Sequence, residues 1–196
     1  MDTQQIEDYL NALSEQLNLQ GQRDVELVVV GGAALNMLGL SQRTTRDIDT
    51  MAFLVSSPAG EKNLVKASFD DKFKKAAASV AKDYDLPEYW INSGPAGQLD
   101  TGLPDGFEER LVPVRYGKSL TVFYCSRLDL IHFKLYAAVD VRGRHFDDLK
   151  ALKPKPDELE SAARWCLSQD VSAPFRELLK SILEEMGYGD INGRLP

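Results

Sequence analysis

The feature that most constrains this chain is an apolar strand that ends in two glycines. Residues 25–30 read Val-Glu-Leu-Val-Val-Val, and Gly31 and Gly32 follow directly. Such a run predicts a central strand covered on both faces. Two glycines at its end let the backbone approach phosphate oxygens, which N–H groups at the start of a helix over 33–38 would then meet. The glycines could equally serve only to turn the strand into the helix, and these residues alone leave both interpretations open.

Two aspartates in the next predicted strand, residues 47–55, suggest a metal site. Asp47 and Asp49 flank Ile48, so their side chains lie on the same face with Cα atoms roughly 6.6 Å apart. Two such carboxylates would repel by up to about 4 kcal/mol at 4 Å and an effective dielectric of about 20. A divalent cation reverses that repulsion, and Mg²⁺ is commonly held by one or two carboxylates together with substrate phosphates. The alternatives are solvated acids on an edge strand, or a helix N-cap.

These residues together resemble a known family. The diglycine, a helical interval and then Arg43-Thr44-Thr45-Arg46-Asp47-Ile48-Asp49 resemble the signature of the DNA polymerase beta-like nucleotidyltransferases. More narrowly, the pattern is similar to the minimal bacterial nucleotidyltransferases related to AbiEii and MenA toxins. The resemblance implies an α/β (α+β) fold: a small mixed β-sheet core flanked by helices, with a helical C-terminal end.

The same resemblance implies roles for the residues of the pattern. Asp47 and Asp49 would hold Mg²⁺ or Mn²⁺ against the phosphates of an NTP substrate, which Gly31 and Gly32 would bind. Thr45 would cap the backbone or contact phosphate. Arg43, with Arg46 beside it, would supply positive charge.

The third carboxylate of the polymerase-type members has no obvious counterpart here. The predicted hairpin strands, residues 110–116 and 119–125, contain no acid, although Glu108, Glu109 and Asp129 flank them. The minimal toxins suggest a substitute for this carboxylate. By the same resemblance, the substitute consists of Lys134, in a predicted helix over 128–139, and Asp148, in a short predicted helix over 146–152. Lys134 would contact nucleotide phosphate and Asp148 would lie beside it. The alternatives are a lysine stem along an apolar face with its ammonium in water, and a surface aspartate.

The rest of the chain gives a coarse organisation. We predict a nucleotidyltransferase-like domain over 1–152 and a C-terminal helical extension over 153–196, packed on the same domain. Residues 61–83 show the longest helical pattern, and residues 85–109 are rich in glycine and proline. Trp90 and Asn92 lie in that connection. An aromatic ring there could stack on a base, but anchoring a long loop to the core is the more common role.

Composition limits the partners and the compartment. The formal net charge of −7 argues against broad DNA binding, which depends on phosphate neutralisation, although it allows a local basic patch. Two cysteines do not indicate a disulfide framework. Neither a membrane span nor a signal peptide is apparent. We therefore expect a cytoplasmic protein without a membrane partner.

The expected function is an Mg²⁺-dependent nucleotidyltransferase. It would move NMP from an NTP such as ATP to a hydroxyl of RNA, tRNA included, or of a protein. Membership of a toxin–antitoxin pair, with a cognate toxin or antitoxin as partner, follows from the resemblance. The alternative is a catalytically weak or inactive nucleotidyltransferase-fold protein that binds nucleotide or a partner, and the missing third carboxylate motivates it.

Overall fold

The computed structural model of the chain describes residues 1–57 and 59–195. It shows a mixed α/β fold, as predicted, in two compact units, Met1–Cys125 and Ser126–Pro196. The division into a domain of residues 1–152 and an extension of 153–196 stays a prediction. Within the described ranges, no helix is both long enough and apolar enough to cross a membrane.

The first unit contains the β-sheet. Its helices and strands are α1 (Thr3–Leu19), β1 (Val25–Val30), α2 (Gly31–Met37), β2 (Ile48–Ser56), β3 (Lys62–Lys66), α3 (Asp71–Asp83), β4 (Ile91–Asn92), α4 (Gln98–Thr101), β5 (Val112–Tyr116) and β6 (Leu120–Tyr124). Over the described residues the sheet has six strands in the order β3-β2-β1-β6-β5, with β4 paired to β2 outside this path.

Strand β1 is the centre of the sheet, as its apolar run predicts. It pairs antiparallel with β2 and parallel with β6, and its last four residues are buried. The antiparallel register places Val30 opposite Asp49. The end of β1, where the two glycines follow, therefore lies directly beside the second aspartate.

The single helix predicted over 61–83 is wrong in its first half. Residues Lys62–Lys66 form β3, which pairs antiparallel with β2. The helix α3 begins only at Asp71, because the carboxylate of Asp70 accepts the backbone N–H of Phe73 at 2.7 Å and caps the first turn. Lys62 and Lys66 are exposed on this edge strand, where lysines discourage pairing with other chains.

Trp90 anchors the glycine-rich connection to the core. Its side chain is completely buried, and its indole N–H donates to the carbonyl of Ala77 on α3 at 3.0 Å. Its own carbonyl accepts the backbone N–H of Ile48 at 2.7 Å. The anchoring interpretation of this tryptophan is therefore confirmed. The next two residues form β4, which runs parallel to the start of β2.

The second unit is helical, with α5 (Arg127–Asp140), α6 (Arg144–Ala151), α7 (Pro156–Gln169) and α8 (Ala173–Glu185). Helix α5 packs against the other three. Its start is fixed by a capping box, in which Ser126 and Asp129 bond to each other's backbone N–H groups. His132 on this helix is buried, and its Nδ1 lies 2.8 Å from the Leu128 carbonyl oxygen. His132 therefore packs inside this unit as a structural residue.

Candidate active site

Gly31 lies against the carboxylate of Asp49. A β-carbon built on Gly31 would lie 2.6 Å from Asp49 Oδ2, and the residue has φ of +72°. Both facts disfavour any other residue here, because L-residues rarely adopt a positive φ and a β-carbon would force the carboxylate to shift. The glycine therefore does more than turn the chain: it lets the turn and the aspartate occupy adjoining space.

Gly32 makes the same kind of room for Thr45. A β-carbon on Gly32 would lie 2.6 Å from Thr45 Oγ1 and 3.1 Å from its Cβ. Thr45 is buried, and its hydroxyl donates to the carbonyl of Asp47 at 3.2 Å. Thr45 thus holds the approach to β2 against the glycine turn. A contact between Thr45 and phosphate stays a prediction.

Asp47 and Asp49 converge on one amide group. The Nδ2 of Asn92 donates to Asp47 Oδ2 at 3.4 Å and to Asp49 Oδ1 at 3.3 Å. Asp47 immediately precedes β2, which begins one residue later than the strand predicted over 47–55. Since a single nitrogen reaches both carboxylates, the two acids lie on the same side of the backbone. Both side chains are partly exposed to solvent, so a ligand can reach them.

Asn92 is the site residue that the sequence did not identify. It lies on β4, in register with Asp49, so that Asp49 has β1 on one flank and β4 on the other. The Oδ1 of Asn92 accepts the backbone N–H of Gly94 at 2.8 Å, which fixes its NH₂ group toward the acids. A two-residue strand leaves no periodicity to detect, so pattern analysis could not have placed it.

The two arginines of the motif lie in the irregular segment before β2. Arg43 and Arg46 are both exposed, and the backbone N–H of Arg43 donates to Ser41 Oγ at 3.1 Å. Their predicted contribution of positive charge to a nucleotide stays a prediction.

Lys134 and Asp148 form a buried ion pair within the second unit. Lys134 Nζ lies 2.7 Å from Asp148 Oδ2, and the two side chains are 6% and 5% exposed. The alternatives of an ammonium in water and a surface aspartate are therefore wrong. Removing either charge of this pair would destabilise the fold, because the remaining charge would stay buried without compensation. Their predicted roles toward a nucleotide stay predictions.

Comparison with known protein families gives a match over residues 8–151 to the family described as nucleotidyltransferase of unknown function (DUF6036). The matched range covers well over half of the chain. The chain belongs to this family. No curated protein and no solved structure matched the chain. The family description supports nucleotidyl transfer in general, whereas the relation to AbiEii and MenA toxins stays a resemblance.

The donor set of this DUF6036 protein suits a hard cation. Asp47 and Asp49 offer carboxylate oxygens on one side of the chain, and Mg²⁺ takes oxygen ligands from one or two carboxylates, phosphates and water. In the described part of the chain, no group of three or more His, Cys, Asp or Glu residues could hold a metal ion. The two aspartates alone would therefore have to share the cation with the substrate.

Proposed function

We propose that this DUF6036 protein is an Mg²⁺-dependent nucleotidyltransferase that moves NMP from an NTP to a hydroxyl of RNA, such as tRNA, or of a protein. The observation that carries the proposal is the convergence of Asp47 and Asp49 on Asn92 beside Gly31. Two converging acids are electrostatically costly. A cation bound between the two acids would offset this repulsion, and the phosphates of a nucleotide would complete its coordination beside the glycine turn.

Each residue of the site then has a role in binding. Asp47 and Asp49 hold the metal, which when bound neutralises charge on the phosphates. Gly31 and Gly32 let Asp49 and Thr45 pack against the turn, so that phosphates bound with the metal at Asp49 lie close to the backbone. Arg43 and Thr45, from the segment before β2, add charge and hydrogen bonding. Lys134 and Asp148 lie in the second unit, and the role of Lys134 toward nucleotide phosphate, with Asp148 beside it, rests on the resemblance to the minimal toxins.

The reaction follows from the reactants. The oxygen of the acceptor hydroxyl forms a bond to the α-phosphorus of the NTP, and the bond from that phosphorus to the bridging oxygen breaks. Pyrophosphate leaves, and the hydroxyl proton passes to solvent. Attacking and leaving oxygens stand roughly in line across the phosphorus. Catalysis in such a site consists mainly of positioning and charge neutralisation.

A labelling experiment tests the proposal. The full-length protein is incubated with each α-labelled NTP, Mg²⁺, and total tRNA or total protein. We expect transfer of label, with Asp47→Asn and Asp49→Asn each reducing it by roughly 10²–10³-fold, the range found when one electrostatic contact to a transition state is removed. Glu15→Gln, an exposed acid on α1, is the matched control and should retain activity. Equal labelling by all four proteins would refute the assignment of the metal site.

A second candidate is a nucleotide-binding protein of this fold that has little or no turnover. Asn92, a neutral residue on the strand flanking Asp49, favours it, because polymerase-type relatives carry a third carboxylate. Measurement of pyrophosphate release separates the two candidates. A protein that binds NTP with Mn²⁺ but releases no pyrophosphate with any acceptor supports the second.

A place in a toxin–antitoxin pair is a further part of the proposal. Its support is the resemblance of the Arg43–Asp49 motif to the minimal toxins. Expression of the native chain in a bacterial host should then slow growth, and Asp49→Asn should abolish the effect. Equal growth with both chains would argue against a toxin, and copurification with a toxic protein whose effect this chain neutralises would indicate an antitoxin.

A further inference from the structure

The two flanks of Asp49 differ in what they offer to a substrate. On one side Val30 pairs with Asp49 and leads into the glycine turn. On the other side Asn92 pairs with Asp49 and leads into the connection after β4. Neighbouring strands are about 4.8 Å apart, so the glycine turn and β4 stand on opposite sides of the acid. A transfer reaction with in-line geometry needs its two reactants on opposite sides of the phosphorus.

A cavity opens on the β4 side. It has a volume of about 600 Å³ and is formed by α3 and the residues around β4. Asn92, which donates to both acids, lines the cavity together with Ser93, and Phe69 and Tyr89 supply aromatic rings. This volume is within the usual range of about 300–1,000 Å³ for small-molecule sites. One residue, Asn92, therefore belongs both to the carboxylate pair and to the cavity wall.

The chemistry of the cavity is that of a single-stranded nucleic-acid site. Lys74 and Lys75 on α3 line it together with Glu88, which leaves a net positive charge in a chain of formal charge −7. Both lysines are exposed, and so is Tyr89, a residue that is 65% exposed. Proteins bind single strands with cations that track the phosphates and with aromatic rings on which bases stack. An exposed tyrosine beside two lysines matches this description.

We propose that this cavity is the acceptor site and that it binds the 3′-terminal nucleotides of a single-stranded nucleic acid. Lys74 and Lys75 contact its phosphates and Tyr89 stacks on a base, so that the terminal hydroxyl faces Asp47 and Asp49 from the β4 side. This inference rests on the proposed function, in which the NTP phosphates occupy the glycine side. It selects nucleic acid over protein as the acceptor.

Binding and transfer are measured separately to test it. The binding probe is a fluorescent ten-nucleotide RNA with a free 3′ hydroxyl, followed by anisotropy with the full-length protein at low and moderate salt. Lys74→Ala/Lys75→Ala should weaken binding by about tenfold and flatten its salt dependence, since each lost phosphate contact removes about 0.7 from the logarithmic slope. Tyr89→Ala should weaken it by about tenfold, whereas Tyr89→Phe should retain binding, because the ring still stacks.

The matched control removes the same number of lysines from the same helix, but from positions outside the cavity. Lys72→Ala/Lys82→Ala removes two exposed lysines of α3 that do not line the cavity, and should bind the RNA like the native protein. Binding of NTP with Mn²⁺ should be unchanged in all these variants. Reduced transfer at subsaturating RNA with unchanged NTP binding is the expected signature of an acceptor site.

The outcomes distinguish the two proposals. RNA binding that depends on Lys74, Lys75 and Tyr89, without any label transfer, supports the acceptor site and counts against the enzymatic function. Transfer to RNA that is equal in the cavity variants and in the control overturns the acceptor site and leaves the function standing. No binding of RNA by the native protein, or labelling of polypeptide alone, also overturns it.

Discussion

Replacing Gly31 with alanine tests whether the glycine turn and Asp49 form one structural unit. The new β-carbon would lie 2.6 Å from Asp49 Oδ2, and the backbone φ of +72° would be retained. The left-handed backbone costs an alanine about 1–2 kcal/mol. The close contact forces the carboxylate to turn, which costs about 0.5–1.5 kcal/mol in rotamer strain and about 1 kcal/mol for the hydrogen bond to Asn92. We expect a total loss of about 2.5–4.5 kcal/mol in the free energy of unfolding.

Gly39 provides a control with the strain but without the contact. Its φ is +67°, and a β-carbon there would meet nothing within 4 Å. Gly39→Ala should therefore cost only about 1–2 kcal/mol, the price of the left-handed backbone alone. The difference between the two variants isolates the displacement of Asp49.

Two measurements are needed on both variants. Urea unfolding followed by Trp90 fluorescence, in a Trp165→Phe background, reports the stability of the first unit. Titration with Mn²⁺ reports the carboxylate pair, and we expect Gly31→Ala to weaken binding at least about tenfold while Gly39→Ala leaves it unchanged. Equal stability losses together with unchanged Mn²⁺ binding in Gly31→Ala would refute the contact between the turn and the acid.

Three further predictions concern other parts of the structure. Asn92→Asp should lower the melting temperature without metal, because a third carboxylate repels the other two by up to about 4 kcal/mol per pair. The same variant should gain more stability than the native protein when Mn²⁺ is added. A smaller gain than in the native protein would contradict this prediction. Asp148→Ala should lose about 3–5 kcal/mol in urea unfolding followed by circular dichroism, whereas Lys134→Met/Asp148→Leu should lose little, because removing both charges leaves neither one buried alone; equal losses would argue against a buried pair. Cys125 and Cys166 are both fully buried, and burial raises the pKa of the Cys166 thiol. A thiol reagent at pH 8 should therefore label neither cysteine in the native protein and both cysteines in urea. Rapid labelling of the native protein would contradict the burial of these two side chains.

The sequence predicts those elements whose signals are local. The run at 25–30 specifies β1 because β-branched residues favour a strand that is buried on both faces. Asp47 and Asp49 lie on one side of the backbone as strand alternation predicts, although Asp47 itself precedes β2. The helix predicted over 61–83 fails at residues 62–66 because they pair with β2, a long-range contact that overrides a helical pattern. Asp70, an N-cap residue three positions before Phe73, was the available signal for the true start of α3.

The part of the site on β4 could not be predicted in this way. Asn92 reaches the acids through a two-residue parallel pairing with β2, which leaves no periodic pattern in the sequence. Trp90, two residues earlier, did carry a signal, because a large aromatic residue commonly anchors a long loop to the core. A buried tryptophan identifies where a loop is fixed to the core, but it does not predict which other side chain of that loop contacts a distant strand.

The burial of Trp90 links two regions that differ in chemistry. Its indole holds α3 through Ala77, while its backbone holds the start of β2 through Ile48. A displacement of α3, which carries Lys74 and Lys75, would therefore be transmitted through a rigid aromatic ring to the strand that bears Asn92. The affinity of the aspartates for a cation should then respond to substitutions deep beneath α3 that touch neither acid.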